Sequence, residues 1–195
     1  MTAFDYVMGL LSIISSLGLV HLASGFVALV RKGRRVRWSP LPLIWMWIAF
    51  CTTIANWATY WSMHGQSNWS GWFVVLSVFV ALGQYAFCVF VTPDIHGDGA
   101  FNLDQFHHAE GKRYVIAFLA LVAVAAAQNL AAGVVGNYVL WKRDLVMCAM
   151  DGGLGLIALI ARPRWAQFVA AISLAGIASW LLFATTGISD APLAN

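Results

Sequence analysis

Arg31-Lys32-Gly33-Arg34-Arg35-Val36-Arg37 sets the topology of this chain. Five of the chain's 11 Lys and Arg residues stand in it, between two long apolar runs. A charge cluster of that density resists transfer across a bilayer, so it reads as a short cytoplasmic loop joining two membrane spans. The orientation of every other segment follows from that placement.

The apolar runs on either side extend through most of the 195 residues. Hydrophobic residues make up 61% of the chain and charged ones 10%, with a mean hydropathy of +0.77. Soluble domains carry about 25% charged residues. A soluble globular domain is therefore excluded as the main body. The formal net charge of +3 comes from loop residues that set orientation and does not point to nucleic acid. Cys51, Cys88 and Cys148 fall inside apolar runs without a CxxC spacing, which suggests neither a disulfide framework nor a zinc site.

A span needs about 20 apolar residues, and the sequence offers six: 4–30, 41–61, 71–91, 114–138, 145–161 and 166–184. The expected fold is an all-α, polytopic transmembrane helix bundle forming one domain. Met1 to Met8 carry no positive charge, and the basic cluster follows the first apolar run instead of preceding it. That order predicts an uncleaved first helix with its N-terminus outside. Loops on the cytoplasmic side then hold five, two and two basic residues (31–37, 112–113, 162–164), against Lys142 and Arg143 outside. Both termini are expected outside.

Each span has its own polar signature. In the first, Gly18, His21 and Gly25 fall within about 60° of one another at 100° per residue, which predicts a close helix approach and an inward-pointing His21. Trp57, Tyr60, Trp61, Trp69 and Trp72 read as interfacial aromatics, while Trp45 and Trp47 lie deeper and are expected to pack against protein. Ser77 and Gln84 share a face seven residues apart. Asn56, Gln128 and Asn129 sit in the outer half of their spans and are expected to hydrogen-bond between helices. The 94–113 connection holds Asp94, Asp98, Asp104, Glu110, His96, His107, His108, Lys112 and Arg113. From Phe101 it can form a short surface helix with Phe101 and Phe106 toward lipid.

Chemistry is sought where charge is costly. His21 lies ten residues before Arg31 and Asp151 ten before Ala161, so each is about 15 Å deep, near the midplane. An Asp–His pair at that depth suits proton relay or pH sensing; the plainer alternative is that each is a packed, hydrogen-bonded side chain. Asp104, His107 and His108 stand at i, i+3 and i+4, a spacing that can present three ligands to a divalent metal. HExxH, GxSxG and a glycine-rich phosphate loop do not occur, and the sequence names no cofactor.

Phe4-Asp5-Tyr6-Val7, then His21-Leu22 and Gly25 before the basic loop, the Trp-rich second span, and the run from Pro93-Asp94 to Arg113-Tyr114 together resemble a broad group of uncharacterised bacterial six-helix membrane proteins. The resemblance implies a multi-pass protein of the bacterial inner membrane and carries over no catalytic residue. Three functions are open on these residues. One is a proton- or ion-linked conduit or transporter using His21 and Asp151, as a homo-oligomer in the lipid bilayer. Another is a non-catalytic assembly partner or sensor that docks a protein through 94–113. The third is a redox subunit binding haem or quinone.

Overall fold

The computed structural model describes residues 3–61, 71–95, 99–134 and 141–186. Asp98, His64, His96 and Trp69, together with 135–138 of the fourth expected span, lie outside the described residues. Six α-helices account for nearly all of the rest: α1 (Ala3–Lys32), α2 (Pro40–Trp61), α3 (Gly71–Val91), α4 (Leu103–Val134), α5 (Trp141–Ile160) and α6 (Arg164–Thr186). Five of them are long and apolar enough to cross a membrane; α5 is the exception. Its 20 residues include Lys142, Arg143, Asp144 and Asp151, which lower its mean hydropathy although its length suffices. Large apolar side chains cover the outside of the bundle, among them Ile160, Phe183 and Val134. The chain is a multi-pass membrane protein.

Helix ends follow local chemistry. Gly33 adopts φ +50°, the left-handed conformation that closes helices and that glycine takes without penalty, so α1 stops at Lys32. A single 3₁₀ turn (Gly33–Arg35) leads into a two-residue strand, β1 (Val36–Arg37), which pairs in parallel with β2 (Phe101–Asn102). Asn102 then caps α4: its Oδ1 accepts from the backbone N–H groups of Asp104 (3.0 Å) and Gln105 (3.4 Å). The fourth helix thus begins at Leu103, not Tyr114. The polar stretch expected as a separate surface helix is the first turns of α4. Phe101 and Phe106 do not face lipid, since Phe106 stacks on Tyr114 (6.4 Å between centroids) and Phe101 lies under the Lys32 ammonium (5.9 Å).

Helix α2 is the hub. It packs against α1, α3, α4 and α6, while α3 joins α1 to α4 and α5 bridges α4 to α6. Trp45, almost fully buried, meets Phe87 (6.2 Å), Tyr114 (5.5 Å) and Phe118 (5.6 Å) where α2, α3 and α4 converge. On α6, Ala170, Ala171 and Ala178 are buried beside Leu174, and the alanines permit a close approach to α2. Trp47 is half-exposed instead of packed inside, and its indole N–H donates to Ser179 on α6 (3.0 Å). Tyr60 is buried, not interfacial.

Gly18 and Gly25 turn toward α3, where the side chains of Cys88 and Thr92 fill the space in front of them. The other edge of that contact is set by Leu22 and Leu29, both buried. This shifts the packed face away from His21, whose side chain is exposed. The expectation of an inward His21 is corrected accordingly.

A Cβ at Gly25 would overlap the Thr92 methyl, whereas one at Gly176 meets nothing within 4 Å. Gly25→Ala is expected to lower thermal stability in detergent by about 1–3 kcal/mol, the usual cost of overpacking, and Gly176→Ala to leave it unchanged within about 0.5 kcal/mol. Equal melting temperatures for the two variants would contradict the α1–α3 contact.

Candidate functional site

Three sets of polar side chains are candidates for function, two inside the bundle and one at its basic end. The inner sets are built on α2, α3 and α4. Gln84 Nε2 donates to Thr52 Oγ1 (3.1 Å) and to the Ala49 carbonyl (3.3 Å), and its Oε1 accepts from Asn56 Nδ2 (3.1 Å). Thr53 donates to the Ala49 carbonyl (2.6 Å) and lies 3.4 Å from Cys88 Sγ.

Two helical turns away, about 10 Å along α3, Tyr60 OH donates to Gln128 Oε1 (2.9 Å). Gln128 Nε2 in turn donates to Ser77 Oγ (2.8 Å), and Ser77 to the Phe73 carbonyl (2.7 Å). Asn129 Nδ2 donates to Cys148 Sγ (3.7 Å), tying α4 to α5. Among the described residues, no buried side-chain nitrogen or oxygen lacks a hydrogen-bond partner. These networks are closed.

His21 and Asp151 are not brought together. α1 packs on α3 and α2, and α5 on α4 and α6. Asp151 is half-buried on the side of α5 that also carries Gly155, where Leu119 of α4 approaches within 2.8 Å of a Cβ position. His21 looks out from α1. Equal depth did not mean adjacency, because α2 occupies the centre.

The basic end holds the third set. Arg164, at the start of α6, donates to Asp104 Oδ2 (3.2 Å) and to His108 Nε2, which itself lies 3.8 Å from that carboxylate. His107 turns to the other side, where its Nδ1 meets Tyr114 OH and its ring lies near Gln167 of α6. Among the described residues, no three His, Cys, Asp or Glu side chains converge on a metal-sized space. The metal expectation for Asp104, His107 and His108 fails on geometry, with a guanidinium occupying the carboxylate and His107 facing another way.

This clasp joins two helix starts sixty residues apart, and no local pattern announced Arg164 or Gln167. The Tyr114 contact was accessible from spacing, since residues seven apart share a face once α4 is continuous. His107 sits two turns before Tyr114, beyond the Pro40 start of α2, and therefore outside the apolar slab. Burial lowers its pKa from the ordinary 6.5; His108 and Arg164 push it the same way, opposed by Gln167 and Asp104. Glu110 pairs with Arg113 (2.8 Å).

A shallower space lies between α1 and α2 at the side of the bundle, a cleft of about 140 Å³ lined by Ser12, Ser15, Ser16, Leu19, Thr53, Ile54 and Trp57. The Trp57 indole N–H donates to Ser12 Oγ there (3.0 Å). No family model, curated protein or solved structure matches this chain.

Magnitudes separate the inner networks from the clasp. Gln84→Ala strands Asn56 in an apolar interior and is expected to cost about 1–3 kcal/mol, read as a lower melting temperature. Arg164→Ala removes an ion pair whose partners are both largely exposed, worth at most about 1 kcal/mol. Its expected signature is faster hydrogen exchange at 103–110 with little change in global melting.

The clasp should also respond to pH. With the folded His107 pKa depressed, the opened state binds more protons between that value and 6.5. Protection of 103–110 should therefore be complete above about 6.5 and fall as the pH drops through that window. His107→Gln should flatten the profile; an unchanged profile in that variant would sink the assignment.

Proposed function

We propose that this chain is a non-catalytic component of the bacterial inner membrane that docks an acidic segment of a partner protein at its basic end. In this reading the basic end, including 94–113, lies in the cytosol and both termini lie outside, as the distribution of Lys and Arg favours. The observation that carries it is the division of labour among polar groups. Gln84, Asn56, Thr52, Gln128, Tyr60 and Ser77 inside the bundle hydrogen-bond to one another, and the polar groups at the basic end face outward on a braced frame.

The frame has three ties. β1 pairs with β2, Asn102 caps α4, and Arg164 grips Asp104. Arg31, Arg34, Arg37, Lys112 and Arg162 are exposed around it, while Asp104 and Glu110 already face arginines. The residual surface is cationic, and it sits on α1, α4 and the α5–α6 turn together. A conduit built on His21 and Asp151 within one chain gains no support from a hub filled by Trp45, Phe87, Tyr114 and Phe118.

Site-specific photocrosslinking in native membranes tests the proposal. A photoreactive residue at Gln105 or Lys112 is expected to yield one discrete adduct, and one at Lys142 on the opposite end none. Replacing Arg31, Arg34 and Arg37 together by Gln should reduce the adduct several-fold. No adduct at either basic-end position, or equal capture at Lys142, would refute it.

A further inference from the structure

We infer that α1 is the contact helix of a homodimer, in which a second copy of this chain covers His21. The starting point is the exposure of that side chain on a helix whose neighbours lie elsewhere. His21 stands about 15 Å along α1 from Arg31, so its ring lies at hydrocarbon depth. Among the described residues it makes no hydrogen bond or ion pair. An imidazole always carries at least one N–H, and lipid tails offer it no acceptor. Ionisable side chains at this depth almost always face protein or water. What covers His21 must supply a polar group at the same level.

The residues around it form a second seam, separate from the α3 contact. Leu10, Leu17, His21 and Ser24 are exposed, and Ile14 and Ala28 half-buried. Their spacing alternates by four and three residues from Leu10 to Ala28, which is the heptad rhythm of helices that pair along their length. At 100° per residue they occupy about 80° of the helix, beside the arc of Gly18, Leu22, Gly25 and Leu29 that packs on α3. α1 is also the least buried of the five apolar helices.

The occupant follows from symmetry. A two-fold axis along the membrane normal sets each seam residue opposite its own copy, so His21 meets His21. One imidazole donates its N–H to the free ring nitrogen of the other, and the accepting ring's own N–H is left to a seam hydroxyl such as Ser24, one turn away. A lone polar residue at a core seam position is also what fixes register between paired helices. Any other partner would need its own polar group at that depth, whereas the second copy brings it automatically.

Disulfide trapping in native membranes tests this with the full chain carrying Cys148→Ala, since Cys51 and Cys88 are buried. Leu17→Cys and Ser24→Cys are expected to form dimers on mild oxidation. Ala23→Cys and Phe26→Cys, exposed on the other side of α1, are not. In parallel, dimerisation of fluorescently labelled protein is followed in bilayers at varied protein-to-lipid ratio. His21→Ala should weaken it about threefold, the typical worth of one interhelical hydrogen bond. His21→Asn, which also donates and accepts, should preserve it.

Equal trapping on both sides of α1 would overturn the proposal. So would seam cysteines that capture a different protein, identical dimerisation of the Ala and Asn variants, or a chain that stays monomeric at every ratio.

Discussion

Hydrocarbon supplies no hydrogen-bond partners, and Gln84 shows how strictly this bundle obeys that constraint. A carboxamide at mid-depth has two N–H groups and a carbonyl to satisfy. Helix α2 meets them with Thr52, the Ala49 carbonyl and Asn56. The match needs α2 and α3 in one register, because a shift of one residue turns each helix by about 100°. Gln128, bridging Tyr60 and Ser77, imposes the same demand on α4 two turns away. In water such bonds add little net stability; in lipid the alternative to making them is an unpaired polar group.

Everything else is arranged by how each helix reaches α2. α4 arrives through aromatic rings around Trp45, and α6 through a strip of alanines with the Trp47–Ser179 bond as a latch. α1 has only a narrow arc of contact, shared between α2 and α3, and α5 reaches the hub through α4 and α6. The two deep titratable residues, His21 and Asp151, therefore sit on the helices furthest from the centre. That placement is opposite to what an internal relay requires, and it moves attention to the lateral surface.

The architecture was legible in the sequence because apolar length and basic clusters are local signals. The bounds of α3 and the start of α2 follow from apolar run length and the Ser39-Pro40 boundary. What failed were inferences about direction. His21 shares a stripe with Gly18 and Gly25, but Leu22 and Leu29 lie on the other flank of those glycines and decide which way the packed face leans. Phe101 and Phe106 look like lipid anchors until Asn102 is recognised as a cap that makes 103–113 part of α4. Tyr60 looks interfacial from its position near a helix end, yet Gln128 draws its hydroxyl inward. Asp104 with Arg164, and Val36 with Phe101, are contacts of long sequence separation that no periodicity encodes.

The basic end and the interior differ in how firmly they are held, and the difference bears on what each can do. Inside, buried amides and rings lock α2, α3 and α4. At the basic end a two-residue parallel strand pair ties the start of α4 to the α1–α2 connection, and one exposed ion pair and a histidine that prefers to be uncharged lie between the first turns of α4 and the start of α6. Each of these is weak, and all three join elements whose deeper portions cannot move. Such an edge opens locally at a cost far below that of unfolding, so a partner or a proton can shift it without disturbing the spans. A rigid bundle with a loosely clasped, cationic rim is the arrangement that the proposed docking surface calls for.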